Sequence, residues 1–215
     1  MLISSPLAPL NLRHAGAMGL PRMRYRREID ITECEEVYPP SEDTFLLLEA
    51  IEVGSGEAVL EMGPGTGLIT CHLAACAASV VAADLNPLAV RCTEANLRRN
   101  KLPGEARGSD LFSNVPERFD VIVFNPPYCA GTEEGPLALS WAGGADGVTV
   151  TARFLADAPG HLRPGGRIVL LLSTEMDADA VGEALRPFRR TELGRRRLFF
   201  EELWVEELRP RDRDE

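Results

Sequence analysis

The fold is decided by the sequence AVLEMGPGTG, residues 58–67. Its first half, Ala58 to Met62, is a short apolar run that ends in glycines, which predicts a strand buried on both faces of a sheet. Its second half is a loop whose glycines let the backbone approach a ligand closely, because no Cβ is in the way. Leu68 to Ala77 then has the pattern of a helix. Such a strand–loop–helix unit is typical of a parallel α/β sheet.

Outward from this unit, strands and helices alternate along the chain. Further strands are predicted at 80–84, 105–108, 119–124 and 167–172, and further helices at 44–52, 87–100, 149–161 and 177–186. Two β-rich runs, 189–194 and 197–208, predict a hairpin at a sheet edge. The predicted fold class is therefore α/β, a doubly wound, mostly parallel seven-stranded sheet with a C-terminal antiparallel hairpin. Ligands of such sheets bind beyond the carboxyl ends of the strands, where the strand order reverses.

The composition is that of an ordinary globular protein with an excess of acid. The chain has 215 residues, of which 45% are hydrophobic, and 23 Lys and Arg against 33 Asp and Glu give a formal charge of −10. A net anion disfavours tight non-specific binding to a phosphate backbone, since that affinity comes mainly from cations. No run of 18 apolar residues is present, so no membrane span is expected.

The first 27 residues differ from the remainder, since they contain five arginines and no acid. Transit peptides are also rich in arginine and poor in acid, but this segment has neither a secretory apolar core nor a clear cleavage site. We expect residues 1–27 to be a disordered basic arm, or a leader upstream of a working start at Met18 or Met23. We expect residues 28–215 to form a single domain.

The five cysteines include no Cys-x-x-Cys pair; they are Cys34, Cys71, Cys76, Cys92 and Cys129. In a chain of this length, their odd number and spacing favour reduced thiols of a cytoplasmic protein. A zinc site needs four ligands, and no cluster of His and Cys offers them, so no metal is expected.

The glycine loop contains three candidate ligand contacts, Gly63, Gly65 and Gly67. Its spacing differs from the Gly-x-Gly-x-x-Gly of dinucleotide-binding folds, and the loop lacks the Lys and Ser/Thr of a P-loop. Glu61 stands just before the loop, where its charge would repel a pyrophosphate and attract a cation. A purely structural tight turn is the alternative interpretation.

The second strand ends at Asp84, 21 residues after Gly63. An acid at about this distance holds the ribose in nucleotide-binding α/β folds, because a carboxylate accepts hydrogen bonds from two adjacent hydroxyls. The alternative is that Asp84 caps the helix that begins at Pro87. Taken together, the loop, Glu61 and Asp84 favour S-adenosylmethionine, a nucleoside whose sulfonium is a cation.

The fourth strand ends in Asn125-Pro126-Pro127-Tyr128. The prolines stiffen this segment because they fix φ. The Asn125 side-chain oxygen and the Pro126 carbonyl can accept both hydrogens of a planar NH₂ group, and Tyr128 can cover its face and exclude water. A weakly nucleophilic nitrogen held in this way is oriented toward a methyl donor, and its developing positive charge is stabilised. A Pro-Pro turn that merely ends the strand is the alternative.

With these motifs the chain resembles the class I S-adenosylmethionine-dependent methyltransferases. More narrowly, it resembles the HemK-like glutamine methyltransferases of the eukaryotic and archaeal type, which modify the Gly-Gly-Gln glutamine of class I release factors. The resemblance covers Tyr38 to Leu208. Besides the motifs above, it is carried by VYPPSEDT (37–44), FLLL (45–48), DLNP (84–87), WAGGADG (141–147) and RRRLFFEEL (195–203). The Asn-Pro-Pro-Tyr motif alone is shared with adenine and guanine methyltransferases.

The resemblance implies roles for individual residues. Thr44 and Glu61 would contact the methionine end of the cofactor, Asp84 the ribose and Asp110 the adenine amino group, while Asn125 would touch both cofactor and substrate nitrogen. The full set of implied cofactor contacts is Thr44, Glu61, Gly63, Gly65, Gly67, Asp84, Leu85, Asp110, Leu111 and Asn125. The implied catalytic residues are Asn125, Pro126 and Tyr128, and the product is S-adenosyl-L-homocysteine.

The resemblance also implies partners, namely a class I release factor as substrate and a small zinc-binding activator that docks by strand addition at the edge formed by the third strand. A first alternative is N6-adenine or guanine N2 methylation of RNA or DNA, which would need a basic groove. The arginines between residues 186 and 197 could supply one, although they are more simply a solvated hairpin. A second alternative is a non-catalytic cofactor-binding protein, which would not need the acceptor pair. We expect glutamine methylation in the cytoplasm, with no membrane or nucleic acid partner.

Overall fold

A computed structural model describes residues 22–77, 79–129, 131, 143–144 and 146–211 of the chain. Within these ranges the helices are α1 Glu42–Ala50, α2 Leu68–Ala74, α3 Pro87–Arg99, α4 Thr149–Asp157 and α5 Ala178–Leu185, and a 3₁₀ turn spans Ala158–His161. The strands are β1 Ala58–Met62, β2 Ser79–Asp84, β3 Glu105–Gly108, β4 Phe119–Phe124, β5 Leu162–Ser173, β6 Phe188–Arg197 and β7 Glu202–Pro210. No helix in the described ranges is long and apolar enough to cross a bilayer.

The strands form one sheet in the order β3-β2-β1-β4-β5-β7-β6. Strands β1 to β5 are mutually parallel where they pair, and β7 is antiparallel to both β5 and β6. The predicted fold class is therefore confirmed, including the C-terminal hairpin. The chain builds outward from β1 to β3, then returns to the other side of β1 with β4. The strand order thus reverses between β1 and β4, which is where a ligand site is expected.

The central strand β1 is apolar at every position except Glu61. All five of its residues are buried. Successive side chains of a strand point to opposite faces, so Leu60 packs in the core under α4 and α5, whereas Val59 packs in the core under α1 and α2. A parallel strand between two helical layers has no solvent-facing side, and this is the arrangement that the mostly apolar run predicts.

The predicted basic arm lies partly within the described residues. Met23 is buried, and the Arg26 N–H donates to Nε2 of His72 on α2 at 3.0 Å. Residues 22–27 therefore pack on the domain instead of forming part of a disordered arm. Residues 1–21 lie outside the described residues.

The cysteines differ from the expectation in one respect. Cys34 and Cys92 form a disulfide across 58 positions of sequence, with their Cα atoms 6.1 Å apart. The expectation of five reduced thiols is therefore wrong for this pair. The reason lies in tertiary structure, because the segment before α1 runs along α3, where Val37 packs with Ala89 and Cys92. No spacing rule in the sequence predicts that contact.

Replacing both Cys34 and Cys92 with serine should lower the free energy of unfolding by about 2–4 kcal/mol, since a cross-link over a long loop restricts the unfolded chain. The parent protein should lose a similar amount when a reducing agent is added. Denaturant unfolding with and without reductant measures both effects. Cys129→Ser is the matched control, because this exposed cysteine is outside the disulfide. If the denaturant midpoint of the parent protein is the same with and without reductant, the prediction is contradicted.

Candidate active site

The carboxyl ends of β1, β2 and β4 meet at one edge of the sheet, and two adjoining cavities open there. The first, of about 160 Å³, lies between the segment before α1, the glycine loop and the end of β4. The second, of about 310 Å³, lies between the ends of β2 and β3 and the start of α4. The two cavities share Gly63, Asp84, Phe124 and Pro127 as lining residues. Both therefore lie at the reversal of strand order, where a ligand was expected.

The three glycines of the loop do not all have the same function. Their φ angles are positive, at 63° for Gly63, 56° for Gly65 and 79° for Gly67, a region that residues with a Cβ adopt only with strain. A Cβ at Gly67 would lie 2.8 Å from the side chain of Thr93 on α3, so this glycine allows the loop to pack on that helix. Gly67 lines neither cavity, whereas Gly63 and Gly65 line the first. The tight-turn interpretation thus fits Gly67, whereas Gly63 and Gly65 border the first cavity.

Glu61 is a buried acid in the wall of the first cavity. Its carboxyl accepts a hydrogen bond from the Thr70 hydroxyl on α2. Burial raises the pKa of Glu61 to about 8, and the charge of Asp84 adds to the rise. Without a ligand this carboxyl is therefore mostly protonated at neutral pH. A cation placed beside it would favour the ionised form, which fits the expectation from its position before the loop.

Asp84 is the last residue of β2 and lines both cavities. Its Oδ2 accepts from the Gly65 N–H at 3.3 Å and its Oδ1 accepts from the Asn86 N–H at 2.8 Å. Burial raises the pKa of Asp84 to about 6. The cap of α3 is Asn86, whose side chain accepts from the Leu88 N–H at 2.9 Å. The alternative role of Asp84 as that cap is therefore wrong.

The second cavity has apolar walls and an acid at its rim. Leu85 and Leu111 line it, and so does Asp110. Arg153 of α4 holds this acid, with its Nη2 3.0 Å from Oδ2 of Asp110. Sequence reasoning did not identify Arg153, which lies 43 positions away from its partner. A flat apolar ring with an amino group at its edge suits a cavity of this kind.

Asn125 directly follows β4 and lines the first cavity together with Pro126 and Tyr128. Its Nδ2 donates to Oδ2 of Asp43 at 2.9 Å. Its Oδ1 is buried and has no hydrogen-bond partner among the described residues. An unsatisfied buried acceptor is costly. Because this acceptor belongs to a cavity-lining residue, a donor carried by a ligand would satisfy it.

Tyr128 is a fixed wall of the same cavity, since its ring packs against both hydrophobic cores. Burial raises the pKa of Tyr128 well above its ordinary value, and the charges of Asp43 and Glu201 act in the same direction. The hydroxyl therefore stays protonated at neutral pH. Its predicted function of covering a flat substrate remains a prediction.

The opposite wall of the first cavity comes from the segment before α1 and from the first turn of that helix. Ser41 is the N-cap of α1, and the Thr44 hydroxyl accepts from the Ser41 N–H at 3.2 Å. This interaction fixes Thr44, which lines the cavity. Asp43, one position earlier, is buried and accepts a hydrogen bond from the Tyr38 hydroxyl at 3.3 Å.

The structure brings nearly all of the predicted site residues to the two cavities. The first cavity is lined by Thr44, Glu61, Gly63, Gly65, Asp84, Asn125, Pro126 and Tyr128, and the second by Leu85, Asp110 and Leu111 as well as Gly63 and Asp84. Sequence reasoning assigned no site role to Asp43 or Tyr38, and no local pattern links Asp43 to Asn125 across 82 positions. The motif WAGGADG, residues 141–147, lies partly outside the described residues. No group of three or more His, Cys, Asp or Glu side chains in the described part of the chain could hold a metal ion.

Comparison with known proteins gives consistent matches. The methyltransferase small domain family matches residues 41–195 of the chain. A putative protein N5-glutamine methyltransferase of Methanocaldococcus jannaschii is 37% identical over 177 residues, covering 79% of this chain and 90% of that protein. Methyltransferase HEMK2 of Homo sapiens is 35% identical over 162 residues, covering 68% of this chain and 76% of that protein.

A solved structure is similar to this chain in its fold. A chain of the E. cuniculi Mtq2–Trm112 complex, which is described as responsible for the methylation of the eRF1 translation termination factor, matches with a TM-score of 0.64. The identity is 26%, and the match covers 82% of this chain and 99% of that chain. The fold similarity therefore extends over most of this chain.

Proposed function

Since this chain belongs to the methyltransferase small domain family, we propose that it transfers a methyl group from S-adenosylmethionine to the glutamine side chain in the Gly-Gly-Gln motif of a peptide chain release factor. The observation that carries the proposal is the buried Oδ1 of Asn125, which has no partner among the described residues and belongs to a cavity wall. The NH₂ group of a side-chain amide is a donor that satisfies such an acceptor. The names of the archaeal relative and of the Mtq2–Trm112 complex support the same substrate class.

The residues present fit S-adenosylmethionine as the methyl donor. This molecule carries a sulfonium, a ribose diol and an adenine ring. The first cavity offers the acids Glu61 and Asp84, and its glycine loop leaves room for close backbone approach at Gly63. The second cavity offers the leucine walls and the rim acid Asp110. A cationic nucleoside that spans both cavities matches this distribution of charge and apolar surface.

Each part of the cofactor has residues suited to hold it. Thr44 and Glu61 would hold the methionine end, where the negative charge of Glu61 faces the sulfonium and the ammonium. Asp84 would accept from the ribose hydroxyls, and Asp110, steadied by Arg153, would accept from the adenine amino group. Leu85 and Leu111 would pack on the adenine ring as parts of the cavity wall. S-adenosyl-L-homocysteine is the expected product.

When bound, S-adenosylmethionine supplies an electrophilic methyl group. Asn125 Oδ1 accepts one N–H of the substrate amide and the Pro126 carbonyl accepts the other, so the nitrogen is held in one orientation. Both hydrogen bonds strengthen as positive charge develops on the nitrogen, and this stabilises the transition state more than the ground state. Tyr128 covers one face of the amide and limits the access of water to it. Because the raised pKa of Tyr128 keeps its hydroxyl protonated, Tyr128 does not act as a base. The nitrogen becomes acidic only as the new bond forms, and its proton then passes to solvent.

A methyl transfer assay tests the proposed function. Purified chain and methyl-labelled S-adenosylmethionine are offered a class I release factor and RNA side by side, and the modified residue is mapped by mass spectrometry. We expect one methyl group on the Gly-Gly-Gln glutamine and none on a release factor whose motif glutamine is replaced by alanine. Label on exocyclic amino groups of RNA, with none on the release factor, would contradict the substrate and favour the nucleic acid alternative.

A small zinc-binding activator is the partner that we propose for the open edge of the sheet at β3. This strand is the end strand of the sheet order, and none of its four residues is buried. Within it, Arg107 pairs with Glu105 at 2.8 Å, and Arg107 also pairs with Glu117 outside the strand at 3.0 Å. Hydrogen exchange measured with and without a Trm112-type protein tests the contact. Strand addition should slow exchange in residues 105–108, and unchanged exchange there would contradict it.

We also propose a cytoplasmic location, since translation termination takes place there. The Cys34–Cys92 disulfide would then have to persist against a reducing environment, in which such bonds are rare. To distinguish the oxidised from the reduced protein, free thiols are alkylated in denatured protein immediately after cell lysis and then counted. A retained disulfide leaves the other three cysteines reactive, whereas a reduced protein has five reactive thiols.

Binding of S-adenosylmethionine at pH 7 should release close to one proton. The pKa of Glu61 is about 8 without a ligand, so the carboxyl is mostly protonated at pH 7, and a cation beside it lowers that pKa. Calorimetry in buffers of different ionisation enthalpy measures the protons released. At pH 9 the release should vanish, because Glu61 is already ionised. Glu61→Gln should abolish it at pH 7, and a variant that releases as many protons as the parent would contradict this role.

A further inference from the structure

Asp43 is a buried side chain in the first turn of α1, with 3% of its surface exposed. Its two carboxylate oxygens receive different donors. Oδ1 accepts from the Thr44 N–H at 2.6 Å and from the Thr44 hydroxyl at 3.1 Å. Oδ2 accepts from the Asn125 Nδ2 at 2.9 Å and from the Tyr38 hydroxyl at 3.3 Å. The carboxylate is therefore held by hydrogen-bond donors from three residues.

This contact determines which end of the Asn125 amide faces Asp43. A carboxylate accepts and does not donate, so only the NH₂ end of the amide can face it. The opposite corner of the amide is Oδ1, the buried atom without a partner among the described residues. The planar amide has two orientations that differ by half a turn, and they exchange the acceptor for a donor. Asp43 selects the orientation in which the acceptor is left for a ligand.

We propose that Asp43 is a positioning residue, which fixes the Asn125 amide so that Oδ1 is presented to the NH₂ group that receives the methyl. The inference rests on the proposed function for its substrate, but its geometry concerns the protein alone. If the amide turned over, the NH₂ of Asn125 would face the NH₂ of the substrate, and two donors repel instead of binding.

The substitution Asp43→Asn tests this with little change of volume. The Thr44 N–H and hydroxyl should keep the oxygen of the new amide on their side, because both are donors to that position. The new NH₂ then points at Asn125, which should turn over and offer its oxygen to it. The turnover number should fall about a hundredfold, the size expected when one preorganised hydrogen bond to the transition state is lost. The dissociation constant of S-adenosylmethionine should stay within a few fold of the parent value.

A second substitution should restore activity. In Asp43→Asn combined with Asn125→Asp, the new amide donates to one oxygen of the new carboxylate and leaves the other oxygen as an acceptor in the cavity. Asn125→Asp alone places two carboxylates at the 2.9 Å separation now spanned by a hydrogen bond, and they repel. We therefore expect the double variant to turn over at least tenfold faster than either single variant. A merely structural role of Asp43 does not predict such a rescue.

Glu42→Gln is the matched control, since Glu42 is the neighbouring acid on the same turn and pairs with Arg196 away from the cavity. It should retain the turnover number and cofactor affinity of the parent. Melting curves of all four variants show whether each is folded. An Asp43→Asn enzyme as fast as the parent, or a double variant no faster than both single variants, would overturn the inference.

The side-chain ¹⁵N–¹H signals of Asn125 give a readout that needs no substrate. In the parent protein these protons should exchange slowly with solvent, because they are buried and bound to a carboxylate, and Asp43→Asn should speed their exchange. Fast exchange in the parent overturns the role of Asp43 whatever the substrate is. Slow exchange in the parent, with no glutamine methylation in the release factor assay, would instead reject the proposed function and leave the orientation of Asn125 as inferred.

Discussion

Replacing Asn125 with alanine should lower the turnover number about 10²–10³-fold, because a preorganised hydrogen bond to the developing charge contributes that much in comparable sites. The dissociation constant of S-adenosylmethionine should change by no more than a few fold, since the cofactor is held mainly by the glycine loop, Glu61 and Asp84. Calorimetry and methyl transfer to the release factor, measured on the same preparations, separate binding from turnover.

Asn125→Ala needs a control for stability, because it also removes the hydrogen bond to Asp43. Asn125→Ala removes the donor to Asp43 as well as the acceptor in the cavity, so the melting temperature of the variant must be compared with that of the parent. If cofactor binding and turnover fall by equal factors in a folded variant, Asn125 is not a selective clamp for the substrate nitrogen.

Replacing Asp84 with alanine should weaken S-adenosylmethionine binding by roughly ten- to a hundredfold, the size expected for lost hydrogen bonds to a charged acceptor. At saturating cofactor the turnover number should recover to near the parent value, because Asp84 holds the ribose and not the reacting atoms. Glu94→Gln is a control that removes one negative charge, since Glu94 pairs with Arg98 on the exposed side of α3. A variant that binds the cofactor as tightly as the parent would show that Asp84 does not hold the ribose.

The pH dependence of cofactor affinity is a second test of the proposal that Asp84 holds the ribose. Since the pKa of Asp84 is about 6 in the ligand-free protein, its carboxylate is mostly ionised at pH 7 and mostly protonated at pH 5. A protonated carboxyl is a poorer acceptor for the ribose hydroxyls. Cofactor affinity should therefore fall more steeply between pH 7 and pH 5 than the proton released by Glu61 alone requires. Asp84→Asn should have lower affinity and should keep only the pH dependence that comes from Glu61.

The sequence predicts those parts of the fold that depend on local pattern. The apolar run at β1 and the glycines after it define the central strand–loop–helix unit, and the structure confirms that β1 is buried on both faces. Even β3, a short polar strand at Glu105–Gly108, is found at the predicted residues. The helix α1 begins at Glu42, two residues before the predicted start, because Ser41 caps it and polar residues occupy its first turn.

What the sequence does not predict depends on contacts between distant residues. The Cys34–Cys92 disulfide spans 58 positions and the Asp43–Asn125 hydrogen bond spans 82, and neither leaves a local periodicity. The motif Asn125 to Tyr128 predicts an acceptor, but the orientation of the Asn125 amide is set by the helix on the opposite wall of the cavity. Side-chain chemistry therefore identified the acceptor, and tertiary structure was needed to find what orients it.

The most direct test of the account is a crystal structure of the protein with S-adenosyl-L-homocysteine and a peptide that contains Gly-Gly-Gln. We predict that the glutamine Nε2 lies about 3 Å from both Asn125 Oδ1 and the Pro126 carbonyl oxygen, with the Asn125 Nδ2 still bonded to Asp43 and the sulfur of the product facing the same nitrogen. A glutamine bound elsewhere, or an Asn125 oxygen turned toward Asp43 and away from the peptide, would contradict it.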